Sequence, residues 1–295
     1  MVSGEPGGGL LRDFAEPPGD AGPTVLRLLL GAQLRKLREA KHISLEDAGR
    51  QIRASHSKMS RLELGRVGFK DRDITDLLTL YGVTGRPEIE ALRALAKRAN
   101  AQGWWHDYSD VLEGWFEAYV GLEEAATRIR AYELQFVPGL LQTPDYARAV
   151  ISAEHPDAPA TEIDRRVELR MRRQELDSPP RLWAIIDESV LRRPVGGASV
   201  MRAQLERLAE ANGQPRVNIQ VIPFVAEEYG SMGSSFSILN FSTPDPGVVY
   251  LEYRSGSLYL DGDQVNEYTH LWAHLTAVAL GQRASTAVLR RVLAE

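Results

Sequence analysis

Residues 44–65 decide the fold of the N-terminal part of the chain, and they read SLEDAGRQIRASHSKMSRLELG. Apolar residues follow Ser44 at the three- and four-residue spacing of one helical face: Leu45, Ala48 and Ile52. The Ser44 hydroxyl can cap the first turn, and Asp47 stands three residues later, as the acid of a capping box does. We therefore predict a helix that starts at Ser44.

A short turn, Arg53-Ala54-Ser55, separates this segment from a second short helix, predicted from Ser55 to Gly65. The glycine fits a left-handed C-cap. Two short helices joined by a turn of three or four residues form a helix-turn-helix. The spacing thus predicts this motif within 22 residues.

The packing demands of a helix-turn-helix are met by Gly49 (or its neighbour Ala48), Ile52, Met59 and Leu62. The first helix needs a small residue where the two helices touch and an apolar residue at its end. The second helix needs apolar residues that seat it on the core. Its other positions then face outward: His56, Ser57, Lys58, Ser60 and Arg61. Such polar and cationic groups suit base edges and phosphates in a major groove about 12 Å wide.

Apolar spacing around this motif predicts three more helices, one from Val25, one over residues 71–81 and one after Pro87. Together they make an all-α, five-helix domain over residues 24–100. Repeated Gly and Pro in residues 1–23 indicate a disordered arm.

Residues 25–83 resemble the XRE (Cro/repressor) family of helix-turn-helix domains. The stretches that carry the resemblance are GAQLRKLREA at 31–40, ISLEDAG at 43–49 and ASHSKMSRLELG at 54–65. The resemblance implies that Arg38 pairs with Glu63 and ties the first helix to the third. Family members usually have Ala where this chain has Gly49, a change expected only to soften the second helix.

The resemblance also implies roles on DNA. Ser55 would contact a phosphate, helped by the helix N-terminus, and His56, Ser57 and Arg61 would read bases. Lys58 would reach a base or a phosphate, and Ser60 is a weaker candidate. Arg66, Lys70 and Arg72 would meet the DNA backbone, with a solvated surface charge as the alternative for each. A homodimer on an inverted-repeat operator of double-stranded DNA is expected.

Later motifs are similar to the actinobacterial branch of this family, the WhiJ-like, antitoxin-like regulators. They are VPGLLQTPDYARA at 137–149, QVIPF at 220–224 and VYLE at 249–252. In that branch a C-terminal domain of unknown function follows the DNA-binding domain, and a small partner protein is often encoded nearby. The resemblance therefore implies a small protein partner and gives no information about catalytic activity.

The C-terminal half is predicted to be α+β, with a mostly antiparallel sheet over residues 136–295. Strands are expected from Arg181 onward, at 182–186, 217–222, 235–241, 248–253 and 257–260, with helices at 199–211 and 265–280. Aromatic residues crowd 101–135, which we expect to connect the two domains. The fold class of the whole chain is thus α+β.

The charge and composition of the chain limit the classes of function that fit it. The chain has 295 residues, no Cys and a net charge of −5, whereas residues 25–83 hold 12 Lys and Arg against 7 Asp and Glu. A basic block in an acidic chain is typical of polyanion binding. The absence of Cys excludes disulfides and thiolate metal sites. No signal peptide or membrane span is evident, so a cytoplasmic protein is expected.

Three hypotheses remain open for the second domain: a surface for a small partner protein, a pocket for a small-molecule effector, and an enzyme. The enzyme is disfavoured, and we predict no catalytic residue, no metal site and no cofactor. His270 and His274 have zinc-ligand spacing but lack a third ligand. The adjacent acids Asp187-Glu188 and Glu227-Glu228 are expected to be solvated. The alternating acids and arginines of 162–175 indicate a salt-bridged helix surface.

These observations predict a sequence-specific DNA-binding transcriptional regulator, a repressor rather than an activator. The alternative is an antitoxin-like protein whose main role is to bind a small neighbouring protein.

Overall fold

The computed structural model describes residues 22–176, 178–242, 247–254 and 256–295. The chain divides into two compact units, the first ending at His106 and the second beginning at Asp107. The predicted disordered arm lies outside the described residues, except for Gly22 and Pro23. These two residues cap and begin the first helix.

Five helices form the first unit: α1 (Pro23–Ala40), α2 (Leu45–Gln51), α3 (His56–Glu63), α4 (Asp71–Leu80) and α5 (Arg86–Ala99). Their apolar faces meet in one core, where Leu30, Leu34, Met59, Ile74 and Leu77 are each 0% exposed. The periodicity of the sequence predicted these helices because each one buries a single side, lined by small residues in α2 and mainly by Leu, Ile or Met in the others.

The second unit contains seven helices and six strands among its described residues. The helices are α6 (Gly114–Ala125), α7 (Pro144–Glu154), α8 (Ala160–Arg172), α9 (Glu188–Arg192), α10 (Ala198–Ala211), α11 (Asp263–Val278) and α12 (Gln282–Ala294). The strands are β1 (Arg128–Glu133), β2 (Arg181–Asp187), β3 (Val217–Ile222), β4 (Phe236–Asn240), β5 (Val248–Tyr253) and β6 (Gly256–Leu260).

These strands form one mixed sheet in the order β3-β2-β1-β4-β5-β6. The β1–β2 and β2–β3 pairings are parallel, whereas β1–β4, β4–β5 and β5–β6 are antiparallel. The predicted α+β class is confirmed. The first three strands are joined through helices, which allow parallel pairing, and the last three are joined by short connections, which favour antiparallel pairing. The sheet therefore contains both kinds of pairing.

One strand is missing from the prediction. Strands were expected only from Arg181 onward, but β1 lies at Arg128–Glu133, inside the segment expected to connect the domains. It is a central strand, paired with β2 on one side and β4 on the other. Its sequence RIRAYE has three charged residues among six, so the pattern did not indicate a buried strand. Pairing with the neighbouring strands places it in the centre of the sheet.

The motif at residues 137–149 begins after β1 and enters α7. Thr143 caps α7 by accepting a hydrogen bond from the Tyr146 nitrogen at 3.3 Å, and Pro144 is the first residue of the helix. Glutamine side chains hold the preceding loop: Gln174 donates to the carbonyls of Gly139 and Gln142, and Gln204 donates to that of Leu141. Glutamine side chains from outside the motif therefore hold its backbone in place.

In the described ranges, no helix combines the length and apolar character needed to cross a membrane. The same ranges contain no group of three His, Asp or Glu side chains placed to hold a metal ion. His270 and His274 are both exposed on α11.

Candidate nucleic-acid interface

The helix α3 presents two chemically different sides. Met59 and Leu62 are 0% and 1% exposed and pack into the core of the first unit. His56, Ser57 and Arg61 are exposed, whereas Lys58 and Ser60 are half-buried. The inward side thus fixes the helix, and the outward side offers imidazole, hydroxyl and guanidinium groups to a partner.

Ser55 lies at the N-terminus of α3 as its N-cap. Its Oγ accepts a hydrogen bond from the Lys58 nitrogen at 3.2 Å, and the side chain is exposed. Because the oxygen serves as an acceptor in the cap, the hydroxyl proton can still be donated to a phosphate. Capping and a phosphate contact are therefore compatible at this residue.

The guanidinium of Arg61 lies along the exposed side of α3. Its Nε donates to the carbonyl of Ser57, one turn earlier, at 3.3 Å. This bond uses one of the five donors of the guanidinium. The two terminal nitrogens keep the fork that bidentate recognition of a guanine requires.

The turn before α3 is tight. Arg53 has a φ of +55°, a left-handed conformation that favours glycine, and the Ala54 nitrogen donates to the Gly49 carbonyl at 2.8 Å. A Cβ on Gly49 would lie 2.8 Å from the Ala54 carbonyl oxygen. The expectation that Gly49 only softens α2 is therefore incomplete. Glycine is needed here because the turn approaches the helix too closely for a side chain.

Arg38 of α1 and Glu63 of α3 form a bidentate ion pair. Arg38 Nε lies 2.7 Å from Glu63 Oε1, and Nη2 lies 2.9 Å from Oε2. Both side chains are buried, at 9% and 3% exposed, and Arg38 Nη1 also donates to the Ile43 carbonyl at 2.8 Å. The hydrogen bonds to Glu63 raise the pKa of Arg38. The pair fixes the end of α3 against α1.

A buried carboxylate that the sequence analysis missed lies beside the cations of this surface. Asp73, in the first turn of α4, is 2% exposed; its oxygens lie 3.7 Å from Lys58 Nζ and 3.6 Å from Arg72 Nη2. The carboxylate holds both cations near the edge of α3. The one signal in the sequence was an acid in a first helical turn, which is a common and uninformative feature.

The remaining loop cations differ in exposure. Lys70 is the N-cap of α4 and is exposed, as is Arg72, whereas Arg66 is half-buried. All three follow α3 in the chain. Their exposure is compatible with a contact to the DNA backbone and equally with a solvated charge.

In the second unit, one expectation about the acids is wrong. Glu188 is 8% exposed rather than solvated, because it accepts hydrogen bonds from the Phe224 nitrogen at 2.9 Å and from Arg192 Nε at 2.8 Å. Glu227 and Glu228 are exposed. The helix α8 carries surface ion pairs, such as Arg165 with Glu168 at 3.0 Å.

Comparison with family models gives two matches. A Helix-turn-helix domain matches residues 29–92, and a Domain of unknown function (DUF5753) matches residues 116–291. No curated protein and no solved structure matches the chain. The first match covers α2 and α3, and the second covers the mixed sheet and most of the helices around it. The chain therefore belongs to the DUF5753 family and carries a helix-turn-helix domain in front of the domain that defines it.

Proposed function

We propose that the protein is a sequence-specific DNA-binding transcriptional regulator in which α3 enters the major groove. The observation that carries the proposal is the two-sided character of α3, with Met59 and Leu62 buried and His56, Ser57 and Arg61 exposed. The match to a helix-turn-helix domain supports it. Contact with chromosomal DNA makes the cytoplasm the expected compartment.

The polar and cationic groups on and beside α3 have separate roles in this proposal. Ser55 donates to a phosphate at the N-terminus of α3, where the helix dipole favours an anion. His56, Ser57 and Arg61 contact base edges. Lys58 and Arg72, held by Asp73, contact phosphates of the flanking backbone.

A homodimer follows from the size of α3. One such helix reads only about 4–5 base pairs, so useful specificity requires two half-sites about one helical turn apart. A two-fold symmetric dimer then matches an inverted repeat. Occupancy of a promoter blocks transcription without further machinery, so we propose repression rather than activation.

The C-terminal domain has a regulatory rather than catalytic role in this proposal. An antitoxin-like interaction with a small partner protein is the second candidate function, and three exposed apolar side chains in one loop favour it. In the loop after β3, Phe224, Val225 and Met232 are 59%, 89% and 59% exposed. Phe224 and Val225 are adjacent in the sequence, and exposed apolar side chains that lie together are typical of protein interaction sites.

Selection from a random duplex library tests the primary function. The purified full chain is expected to enrich an inverted repeat whose half-site centres are about 10–10.5 base pairs apart. Genomic footprinting of the tagged protein should then show occupancy at promoters that carry this repeat. If no sequence is enriched, the proposal of DNA recognition is contradicted. Co-purification of a small protein would in that case support the second candidate function.

A further inference from the structure

The sheet face under α11 changes its chemical character along the parallel strands β1, β2 and β3. Tyr132, Ile185 and Ile222, near the carboxyl ends of these strands, belong to the apolar core that Trp272 and Leu275 of α11 complete. Successive side chains of a strand point to opposite faces, so every second residue shares this face. Towards the amino ends of the strands, these alternate residues are polar and basic.

Four arginines lie together at the amino ends. Arg128 of β1 and Arg181 of β2 are register partners, and Arg130 shares the face of Arg128 because it follows two residues later. Arg216 directly precedes β3. Its carbonyl accepts from the Leu182 nitrogen at 2.9 Å, which continues the parallel register and places Arg216 beside Arg181. We name Arg128, Arg130, Arg181 and Arg216 the arginine cluster.

The polar partners of the arginine cluster are neutral. Arg130 Nη2 donates to Asn240 Oδ1 at 3.3 Å and to Thr269 Oγ1 at 3.5 Å. Arg216 Nη1 donates to the Pro179 carbonyl at 2.7 Å. Within the described part of the chain, no carboxylate forms an ion pair with any member of the cluster. The positive charge of these side chains is therefore not balanced by the residues around them.

The guanidiniums also repel one another. Neighbouring strands of a sheet lie about 4.8 Å apart, and like charges directly opposite across a strand pair are destabilising. Arg128 and Arg181 occupy such opposite positions. Burial, followed by the charge of Arg128, lowers the pKa of Arg130. An anion that bridges the guanidiniums would relieve this repulsion.

The arginine cluster combines exposed and recessed donors. Arg130 is half-buried, whereas the other three members are exposed. The Nε of Arg130 is buried and has no hydrogen-bond partner among the described residues, and the same holds for Nε1 of Trp272. The ring of Trp272 lies 5.8 Å from the ring of Trp183, the register partner of Arg130. Recessed donors beside exposed arginines favour a small anion over the backbone of a DNA duplex.

We propose that the arginine cluster binds a small molecule that carries a chain of two or three phosphates. The fork of a guanidinium pairs with two phosphate oxygens at once. Three neighbouring strands spread the arginines over about 10 Å, so several linked phosphates meet them better than one does. The proposal gives the effector hypothesis for the C-terminal domain a site and a ligand class. Any effect of the ligand on DNA binding rests on the proposed function.

Isothermal titration and thermal unfolding of the full chain at pH 7, without DNA, test the proposal. The salt concentration is about 0.15 M, which screens unspecific contacts between exposed charges. The probes are pyrophosphate, tripolyphosphate, ATP and GTP, with inorganic phosphate and citrate as controls. At least one probe is expected to bind and to raise Tm by several degrees at saturation, and both controls are expected to bind at least tenfold more weakly. Tighter binding of a nucleotide than of tripolyphosphate would identify a nucleotide as the ligand, and equal affinity would show that the phosphate chain suffices.

Variants of exposed members separate the arginine cluster from other surfaces. Arg128→Gln and Arg181→Gln should each weaken binding of the probe at least tenfold. Without the probe, each should keep or raise Tm, because it removes a like charge, whereas loss of a purely structural arginine would lower Tm. Arg148→Gln is the control and should bind as the parent does, since Arg148 is a surface arginine of α7 paired with Asp164 at 2.6 Å.

Four results would overturn the proposal: binding of no probe, binding of citrate as tight as that of the probes, undiminished binding by Arg128→Gln and Arg181→Gln, or a lower Tm of these variants without the probe. Weaker binding of Arg181→Gln to the selected operator, with unchanged binding of the probe, would assign the arginine cluster to the DNA backbone instead. None of the four results bears on the DNA selection experiment, so the two proposals fail separately.

Discussion

Ser44 and Ser55 perform the same local task in the helix-turn-helix. Each caps a helix, and their Oγ atoms accept from the nitrogens of Asp47 at 3.1 Å and Lys58 at 3.2 Å. Only Ser55 lies at the N-terminus of the helix proposed to enter the groove. The two residues therefore form a matched pair in which capping and DNA contact can be separated.

Replacing each serine by alanine gives the first prediction. Ser44→Ala and Ser55→Ala should each lower the free energy of unfolding by about 1 kcal/mol, because each loses one cap. Only Ser55→Ala should also weaken binding to the selected operator. Urea unfolding and a filter-binding titration measure the two effects. Equal loss of DNA affinity in both variants would assign Ser55 a capping role alone.

Gly31 is a glycine inside α1 that the packing requires. A Cβ there would collide with the carbonyl oxygens of Glu63 and Leu62, at the end of α3. Alanine in a helix interior usually stabilises by about 1 kcal/mol relative to glycine. At Gly31 the backbone would have to shift to accommodate the Cβ, so alanine is expected to destabilise the protein at this position.

The second prediction is that Gly31→Ala lowers the free energy of unfolding by about 1–3 kcal/mol, as overpacking does. Gly114→Ala is the control, because a Cβ on Gly114 at the start of α6 meets nothing within 4 Å. Urea unfolding of both variants gives the comparison. A stabilised Gly31→Ala variant would show that α1 and α3 do not approach as closely as described.

The buried Arg38–Glu63 ion pair links the helices α1 and α3. A buried pair that loses one partner leaves an uncompensated charge, at a cost of about 3–5 kcal/mol. Replacing both partners by apolar groups removes that penalty. The Tyr81 side chain packs in the same core, and its pKa is raised first by burial and then by the charge of Glu63.

The third prediction is a double-mutant cycle. Arg38→Met and Glu63→Met should each lower the free energy of unfolding by about 3–5 kcal/mol, and the double variant should recover a large part of the loss. Chemical unfolding of the parent, the two single variants and the double variant supplies the cycle. Strictly additive losses would mean that the pair carries no coupling.

The sequence predicted elements unevenly, for identifiable reasons. The helices of the first unit were predictable because caps such as Ser44 and one-sided apolar stripes are local signals. The strand β1 was not, since RIRAYE acquires its place from the strands on either side. The parallel pairings depend on helical crossovers, which leave no mark within a strand.

Candidate site residues show the same division. The exposed side of α3 followed from helical periodicity alone. Asp73 did not, because only the folded chain brings this residue of α4 to Lys58 of α3, at 3.7 Å.

For the whole molecule, Glu133 makes stability depend on pH. Burial raises its pKa from 4.5 when the chain is unfolded to about 8 when it is folded. The folded state therefore binds this proton more tightly, and its contribution to stability is fully present below pH 4.5 and is lost as the pH rises to about 8.

The fourth prediction compares the parent with Glu133→Gln, which cannot titrate. Between pH 4.5 and 8, the free energy of unfolding of the parent should fall relative to that of the variant. Urea unfolding across this pH range measures the difference. Parallel profiles would show that Glu133 keeps an ordinary pKa in the folded protein.

Whether Arg61 reads a base in the major groove is decided by the dissociation constant of the protein for the selected operator. Arg86→Ala is the matched control, because Arg86 is an exposed arginine at the start of α5, paired with Glu90 at 3.1 Å. Operators with single base-pair changes supply the preference at each position.

Arg61→Ala should weaken binding about 5- to 150-fold, the equivalent of about 1–3 kcal/mol, and should lose discrimination at one base-pair position of each half-site. Arg86→Ala should bind with parental affinity and preference. Parental affinity and unchanged base preference in Arg61→Ala, with the fold intact by circular dichroism, would contradict the placement of α3 in the groove.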